Sequence, residues 1–344
     1  MSSIKEYSCP NCKAGLEFNP KSQKWKCNYC FSDFNEDEVD SIYKEKEIIN
    51  PEPIGDLDSY KCTSCGAELI ADDTTAATFC IYCKSHSIIK SRFSGEFKPK
   101  SVIPFKLEKK EAQEIYTKWI NKKKFAPKEF KSKKEIEKIT GVYIPFWLFD
   151  NDVKGMINGK GTKVHTWSDS NYRYTQTKHY SVLREATASY NGVPIDGLQK
   201  LDDSLMIGIE PYNYNELTDF SMKYMTGFMA EKYDVQVKDA AGIADKRVKQ
   251  YLSSRLNETI TGYSSFTQNS KNVNITNMEY SYAMLPVYLL VNKYKDKKYE
   301  YIINGQTGKI IGDTPIDSSS QIKFALLIFI ISWLIVVFGG AIIV

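Results

Sequence analysis

Cys9-Pro10-Asn11-Cys12 and Cys27-Asn28-Tyr29-Cys30 decide how the amino-terminal part of the chain folds, and Cys62-Thr63-Ser64-Cys65 with Cys80-Ile81-Tyr82-Cys83 repeat them. Each block reads C-x2-C, a gap of fourteen residues, C-x2-C, and every cysteine of the second block lies 53 positions after its counterpart. Together the blocks use all eight cysteines of the 344-residue chain. Tyr7 and Tyr60, Ala14 and Ala67, and Leu16 and Leu69 keep the same register, so the blocks are a duplication. Zn2+ has no geometric preference of its own and is satisfied by four thiolates, which two C-x2-C turns from facing hairpins supply. Such a site is closed to water, which fits a structural role and disfavours a catalytic one. Segments this short bury too little apolar surface to fold alone, and structural zinc contributes roughly 10 to 16 kcal/mol.

The expected ligands are therefore Cys9, Cys12, Cys27 and Cys30 for one Zn2+, and Cys62, Cys65, Cys80 and Cys83 for a second. Disulfides are the competing chemistry, but the start of the chain carries no secretory signal pattern, and a reducing compartment favours metal. Iron in a rubredoxin-like site is a further alternative, since tetrahedral sulfur accepts either metal. His86, three residues after Cys83, is read as a surface side chain because four cysteines already complete the set. Gly66 follows the second cysteine of the second block, whereas Lys13 stands there in the first, which predicts a slightly strained first knuckle.

At the other end, residues 324–344 run without a charge after Lys323. At 1.5 Å per residue they would span about 31 Å, close to a hydrocarbon core of ~30 Å, so residues 323–344 predict a transmembrane tail anchor. Between ribbons and tail, Ile144-Pro145-Phe146-Trp147-Leu148-Phe149 is echoed by Leu285-Pro286-Val287-Tyr288-Leu289-Leu290. Each echo is followed by Ile-Asn-Gly, ending at Gly159 and Gly305, and later by Pro-Ile-Asp, ending at Asp196 and Asp317. Helical patterning precedes each, over residues 107–140 and about 215–260, so two related α+β units are expected. A hairpin is expected around Asn304-Gly305, strands over 172–190, and core packing for Met222, Met225 and Met229. The expected fold is thus multidomain, with zinc ribbon 1 (1–35), a linker (36–59), zinc ribbon 2 (60–90), α+β unit 1 (100–200), α+β unit 2 (201–318) and one carboxy-terminal transmembrane helix (323–344).

No catalytic set is legible. The histidines are His86, His165 and His179, no cysteine remains for nucleophilic work, and carboxylates are scattered. Residues 155–161 approach a phosphate loop but are one residue short, and Gly161 replaces the Ser or Thr that would hold Mg2+. The expectation is a protein that is not an enzyme. The most basic stretch runs from Lys106 to Lys138, with twelve lysines against six acidic residues. It fits a solvated helix face, an anionic leaflet or nucleic-acid phosphates. Arginine, the commonest reader of guanine edges, occurs at five positions only, which weakens sequence-specific readout. Phe18, Trp25, Phe31 and Phe34 are read as padding of a small ribbon core.

Gly141-Val142-Tyr143-Ile144-Pro145-Phe146-Trp147, the run from Gly227 to Asp234, and the stretch from Met284 through Lys309 carry a resemblance. Through them the whole chain resembles a family of bacterial membrane-anchored proteins described as TFIIB-type zinc-ribbon-containing and also labelled primosomal-helicase-like. That resemblance implies four cysteine ligands per ribbon, a bacterial origin and membrane attachment alongside membrane-stress proteins; the helicase label finds no phosphate loop here. Together these readings predict a single-pass protein of the bacterial cell membrane with its bulk cytoplasmic. They predict an adaptor that meets the lipid bilayer through residues 323–344 and binds a protein partner through its ribbons, with nucleic acid as the alternative partner.

Overall fold

The computed structural model describes residues 7, 9–41, 58–62, 64, 68–70, 80, 82, 88–92, 99–295 and 297–340. In chain order the amino-terminal strands are β1 (Leu16–Asn19), β2 (Lys24–Cys27), β3 (Asp33–Phe34), β4 (Asp58–Cys62), β5 (Glu68–Ile70), β6 (Ile88–Arg92) and β7 (Ser101–Val102). Helices α1 (Lys109–Asn121) and α2 (Lys133–Ile136) lead into two long strands, β8 (Thr140–Ser168) and β9 (Arg173–Asp196). There follow α3 (Asp203–Gly208), β10 (Thr218–Asp219), β11 (Met229–Glu231), α4 (Val237–Glu258), β12 (Ser265–Tyr294), β13 (Lys297–Asn304), β14 (Ile310–Gly312) and α5 (Ser318–Gly340).

Among the described residues β1, β2 and β3 form a small antiparallel sheet, and the other strands form one sheet of eleven. Its axis is β8, which pairs antiparallel with β12 on one edge, and with β9 and a short parallel β11 on the other. Beyond β11 the sheet continues through β5, β4 and β6, so the second cysteine block is an extension of the main sheet. Alternation in β8 divides the interior in two. Tyr143, Trp147, Phe149, Val153 and Ile157 face the core shared with α1, α4 and the first ribbon. Val142, Ile144, Phe146 and Leu148 face a second core containing Met206 and Ile209 from α3 and its carboxy-terminal end. Being covered on both faces, this stretch reads as an uninterrupted apolar run.

Helix α4 covers one face farther along. Ala240, Ala244, Val248, Leu252 and Leu256 recur at four-residue spacing and make its buried stripe. Gly155 lets the helix settle, since a Cβ there would meet Leu256 at 2.8 Å and Leu252 at 2.9 Å. Past Gly159 the three strands β9, β8 and β12 run on as a blade whose side chains are mostly exposed. Straight, the 29 residues of β8 would reach on the order of 95 Å.

Two expectations are corrected. The two echoes do not make two α+β units, because they lie antiparallel on each other, Ile144 opposite Leu285 and Phe146 opposite Ala283, inside one dominant sheet. The tail is helical as α5, but among the described residues no helix is long and apolar enough to cross a membrane. Ser318 to Gln321 and Lys323 fill its first turns. The transmembrane tail anchor over 323–344, and with it the single-pass membrane localisation, therefore falls. The root of α5 is held instead by the protein: Asp317 donates its backbone N–H to the Phe125 carbonyl at 2.8 Å, and Phe324 packs edge-on against Phe125.

The expected hairpin is present, with Ile302 opposite Ile311 in β13 and β14, and residues 173–190 are strand. Met225 and Met229 are buried as expected of core residues, but on a 3-10 turn and on β11 rather than along one helix.

Candidate metal centre

The first block closes on itself through two matching knuckles. In each, the residue after the second cysteine turns its backbone left-handed, Lys13 at φ 65° and Phe31 at φ 60°. Each then donates its N–H back to the first cysteine's carbonyl, Lys13 to Cys9 at 2.8 Å and Phe31 to Cys27 at 2.9 Å. This fold-back aims both thiols of each turn at the same point. The four sulfur atoms of Cys9, Cys12, Cys27 and Cys30 lie within 4.8 Å of one another. Cys9 Sγ is 3.5 Å from Cys30 Sγ, and Cys12 Sγ is 3.4 Å from Cys27 Sγ. A tetrahedron with metal–sulfur bonds of ~2.3 Å has edges of about 3.8 Å, so the cluster could hold a metal ion with small adjustments.

Electrostatics point the same way. The hydroxyl and backbone N–H of Ser32 hold the Cys30 thiol down to about 6. Cys12 accepts a backbone hydrogen bond from Ala14 that favours its thiolate, yet burial and the three neighbouring sulfurs push it up to about 12. Four sulfurs this close cannot all carry charge without a cation among them, and a bound divalent ion resolves that conflict.

The ribbon is docked, not tethered. Trp25 on β2 is 1% exposed, packs on Phe18 and Tyr224, and donates its indole N–H to the Lys223 carbonyl at 2.8 Å. The Lys223 ammonium is 3% exposed and lies 2.5 Å from Asp40 and 2.9 Å from Glu36, on the helical stretch that follows β3. Its charge also sits 5.3 Å from the Trp25 ring centre and 5.6 Å from that of Tyr224. Although burial raises it, the Glu36 carboxyl is held below its ordinary value by Lys223 and by the Tyr224 hydroxyl, which donates to it at 2.7 Å. At the hairpin tip, Gln23 donates to the Phe105 carbonyl and Asn19 to Glu108.

The second block meets the same segment of the core from the other side. Leu69 and Ile70 of β5 pair with Glu231 and Ala230 of β11. Tyr82, between the last two cysteines, donates its hydroxyl to Glu231, which is 1% exposed and also receives the Lys200 ammonium at 3.1 Å. Cys62 and Cys80 are fully buried; Cys65, Cys83 and His86 lie outside the described residues. Residues 222–231 thus clamp both cysteine blocks to the sheet. Lys223 was not marked by the sequence, where it stands without a spacing partner, and Glu231 fell inside the run from Gly227 to Asp234 without a role of its own.

Other sequence expectations sort simply. Phe18 and Trp25 do pad the ribbon, but Phe31 is 72% exposed and its neighbour Tyr29 is 77% exposed, so the outer knuckle presents two aromatic rings to solvent. Residues 155–161 run straight through β8, and no loop forms there. His165 stacks on Trp167 near the tip of the blade, and His179 is exposed on β9. Of the basic stretch, Lys133 pairs with Glu137 and Lys138 with Glu135, while Lys123 and Lys124 lie over the rings of Trp119 and Phe324.

The chain is 32% identical over 313 residues to the uncharacterized protein YdjG of Bacillus subtilis (strain 168), an alignment that covers 91% of this chain and 91% of that relative. No family model and no solved structure matches the chain.

Proposed function

The chain belongs to the YdjG family, and for this member we propose a non-catalytic adaptor that uses zinc-stapled ribbons to bind a protein partner. The observation that carries the reading is the outer knuckle of the first ribbon. Its cysteines converge on one point while Tyr29 and Phe31 are turned away from the core, 77% and 72% exposed. Aromatic side chains on a rigid support are the usual anchors of protein interfaces. Zinc is the proposed ion because four thiolates and no open position match its structural sites, and the same ion is proposed for Cys62, Cys65, Cys80 and Cys83. The cleft lined by Asp196, Asp203, Glu210 and Arg247 fits bracing better than chemistry. There Arg247 donates to the Pro194 carbonyl at 2.8 Å and to Glu210 at 3.1 Å, tying α4 to the end of β9.

The second reading, nucleic-acid binding, is favoured by the exposed Lys122, Lys123 and Lys124 at the end of α1. One experiment separates the two. Full-length chain is crosslinked in its own cells and the bound material identified for the wild type, for Tyr29→Ala with Phe31→Ala, and for Lys122, Lys123 and Lys124 changed to Gln. The adaptor reading expects a protein whose capture is lost with the aromatic pair and kept with the lysine changes. Capture that ignores the aromatic pair overturns it, and capture of nucleic acid lost with the lysines puts the second reading in its place.

A further inference from the structure

The blade leaves two long strand edges that pair with nothing among the described residues: the outer edge of β12 over residues 265–281, and the outer edge of β9. They differ in kind. On β12 the register breaks twice, between Gln268 and Ser270 and between Ile275 and Asn277. Such bulges bend an edge away from further pairing. From Arg173 to Tyr190, by contrast, β9 follows β8 without a break and without a proline, so its outward N–H and C=O groups keep regular spacing. A long, regular, unprotected edge is a template for another strand. Helix α4 does not block it, because the helix packs on the face of the sheet, with Leu252 and Leu256 over Gly155, and ends near Arg184, which donates to the Thr259 carbonyl.

The charges of β9 select the occupant. We propose that β9 pairs antiparallel with β9 of a second copy of the chain, centred on His179, joining two blades into one continuous sheet. In that register Glu185 of each copy stands opposite Arg173 of the other, and Lys178 stands opposite Tyr180. Leu183 meets Thr175, Ser181 meets Thr177, and no two like-charged residues face each other. Opposite charges and cation–aromatic neighbours across strands stabilise pairing, and like charges directly opposite destabilise it. Faces must match across an antiparallel pair, so the register can shift only by moving the centre a whole residue. Moving it to Lys178 sets Lys178 against Lys178; moving it to Tyr180 leaves Glu185 opposite Thr175 and loses both ion pairs. The contact is self-complementary and closes as a two-fold dimer. It also widens the three-stranded blade to six strands and satisfies the backbone groups of its regular edge.

Sedimentation equilibrium on the full-length, metal-loaded chain tests this. The wild type is expected to dimerise. Arg173→Glu and Glu185→Arg, each of which breaks two symmetry-related pairs and sets like charges opposite, should each raise the dissociation constant about tenfold. The double variant, which restores opposite charge with signs exchanged, should return to near the wild-type value. These side chains are exposed, so metal content and far-ultraviolet circular dichroism should stay unchanged across the series. A monomeric wild type overturns the proposal, and so does a double variant as weak as the singles.

Discussion

At Lys13 the chain places a side chain where the knuckle requires φ 65°, a left-handed conformation that costs an L-residue roughly 1–2 kcal/mol and glycine almost nothing. Lys13→Gly should therefore stabilise the first ribbon by about 1 kcal/mol, read as a higher chelator concentration at half-unfolding; no gain would mean that the fold-back is not under strain. The second residue-scale device is Lys223 against Glu36 and Asp40. Glu36 is held below its ordinary value, so its share of the docking is present at neutral pH and is lost as pH falls through its lowered value, below about 4.5. A near-ultraviolet titration of the Trp25 environment should show acid loss in that range, and Glu36→Gln should flatten it. An unchanged titration in the variant would remove Glu36 from the docking. The clustering of Cys9, Cys12, Cys27 and Cys30 was legible because a fixed spacing names them. Lys223 was not, since its partner Asp40 lies 183 positions away and no local pattern joins them.

Among elements, β8 and β12 show what a sequence leaves undecided. Their apolar runs were readable as buried strands, and the echo between them is real in the chain. Their relation was not readable, because antiparallel pairing of one echo on the other is a fact of register that neither stretch carries alone. The repeated Ile-Asn-Gly makes the same point. Gly305 opens the turn after β13, while Gly159 stays in mid-strand, where it gives Phe266 room that a Cβ would take. The tripeptide permits a turn, and its neighbours decide whether one forms. Gly155 matters for a related reason, as it sets how closely α4 approaches β8. Gly155→Val should push Leu252 and Leu256 outward and cost about 1–3 kcal/mol, seen as a lower denaturation midpoint. Gly155→Ala should cost less. Equal, negligible losses would show that the helix shifts freely on the sheet.

For the whole molecule the question is how far the cysteine blocks and the sheet stand or fall together. Ribbon 1 adds its own three-stranded sheet and docks through side chains, whereas the second block continues the main sheet by backbone pairing at β11. The two should therefore respond differently to loss of metal. Without an ion the first ribbon keeps only a small apolar core of Leu16, Phe18, Trp25 and Val39 and its docking contacts to Lys223, Phe105 and Glu108, and the four crowded sulfurs oppose closure. The central strands keep two cores of their own, built on Tyr143, Phe149 and Tyr288 on one face and Ile144, Phe146 and Leu285 on the other. Chelation under reducing conditions should then strip hydrogen-exchange protection from β1, β2 and β3, leave β8 and β12 protected, and raise exchange in β11 only in part. If the strands of the sheet lose protection together with the ribbon, the metal holds the entire fold, and the clamp at residues 222–231 is a cooperative joint across which ribbon and sheet unfold as one.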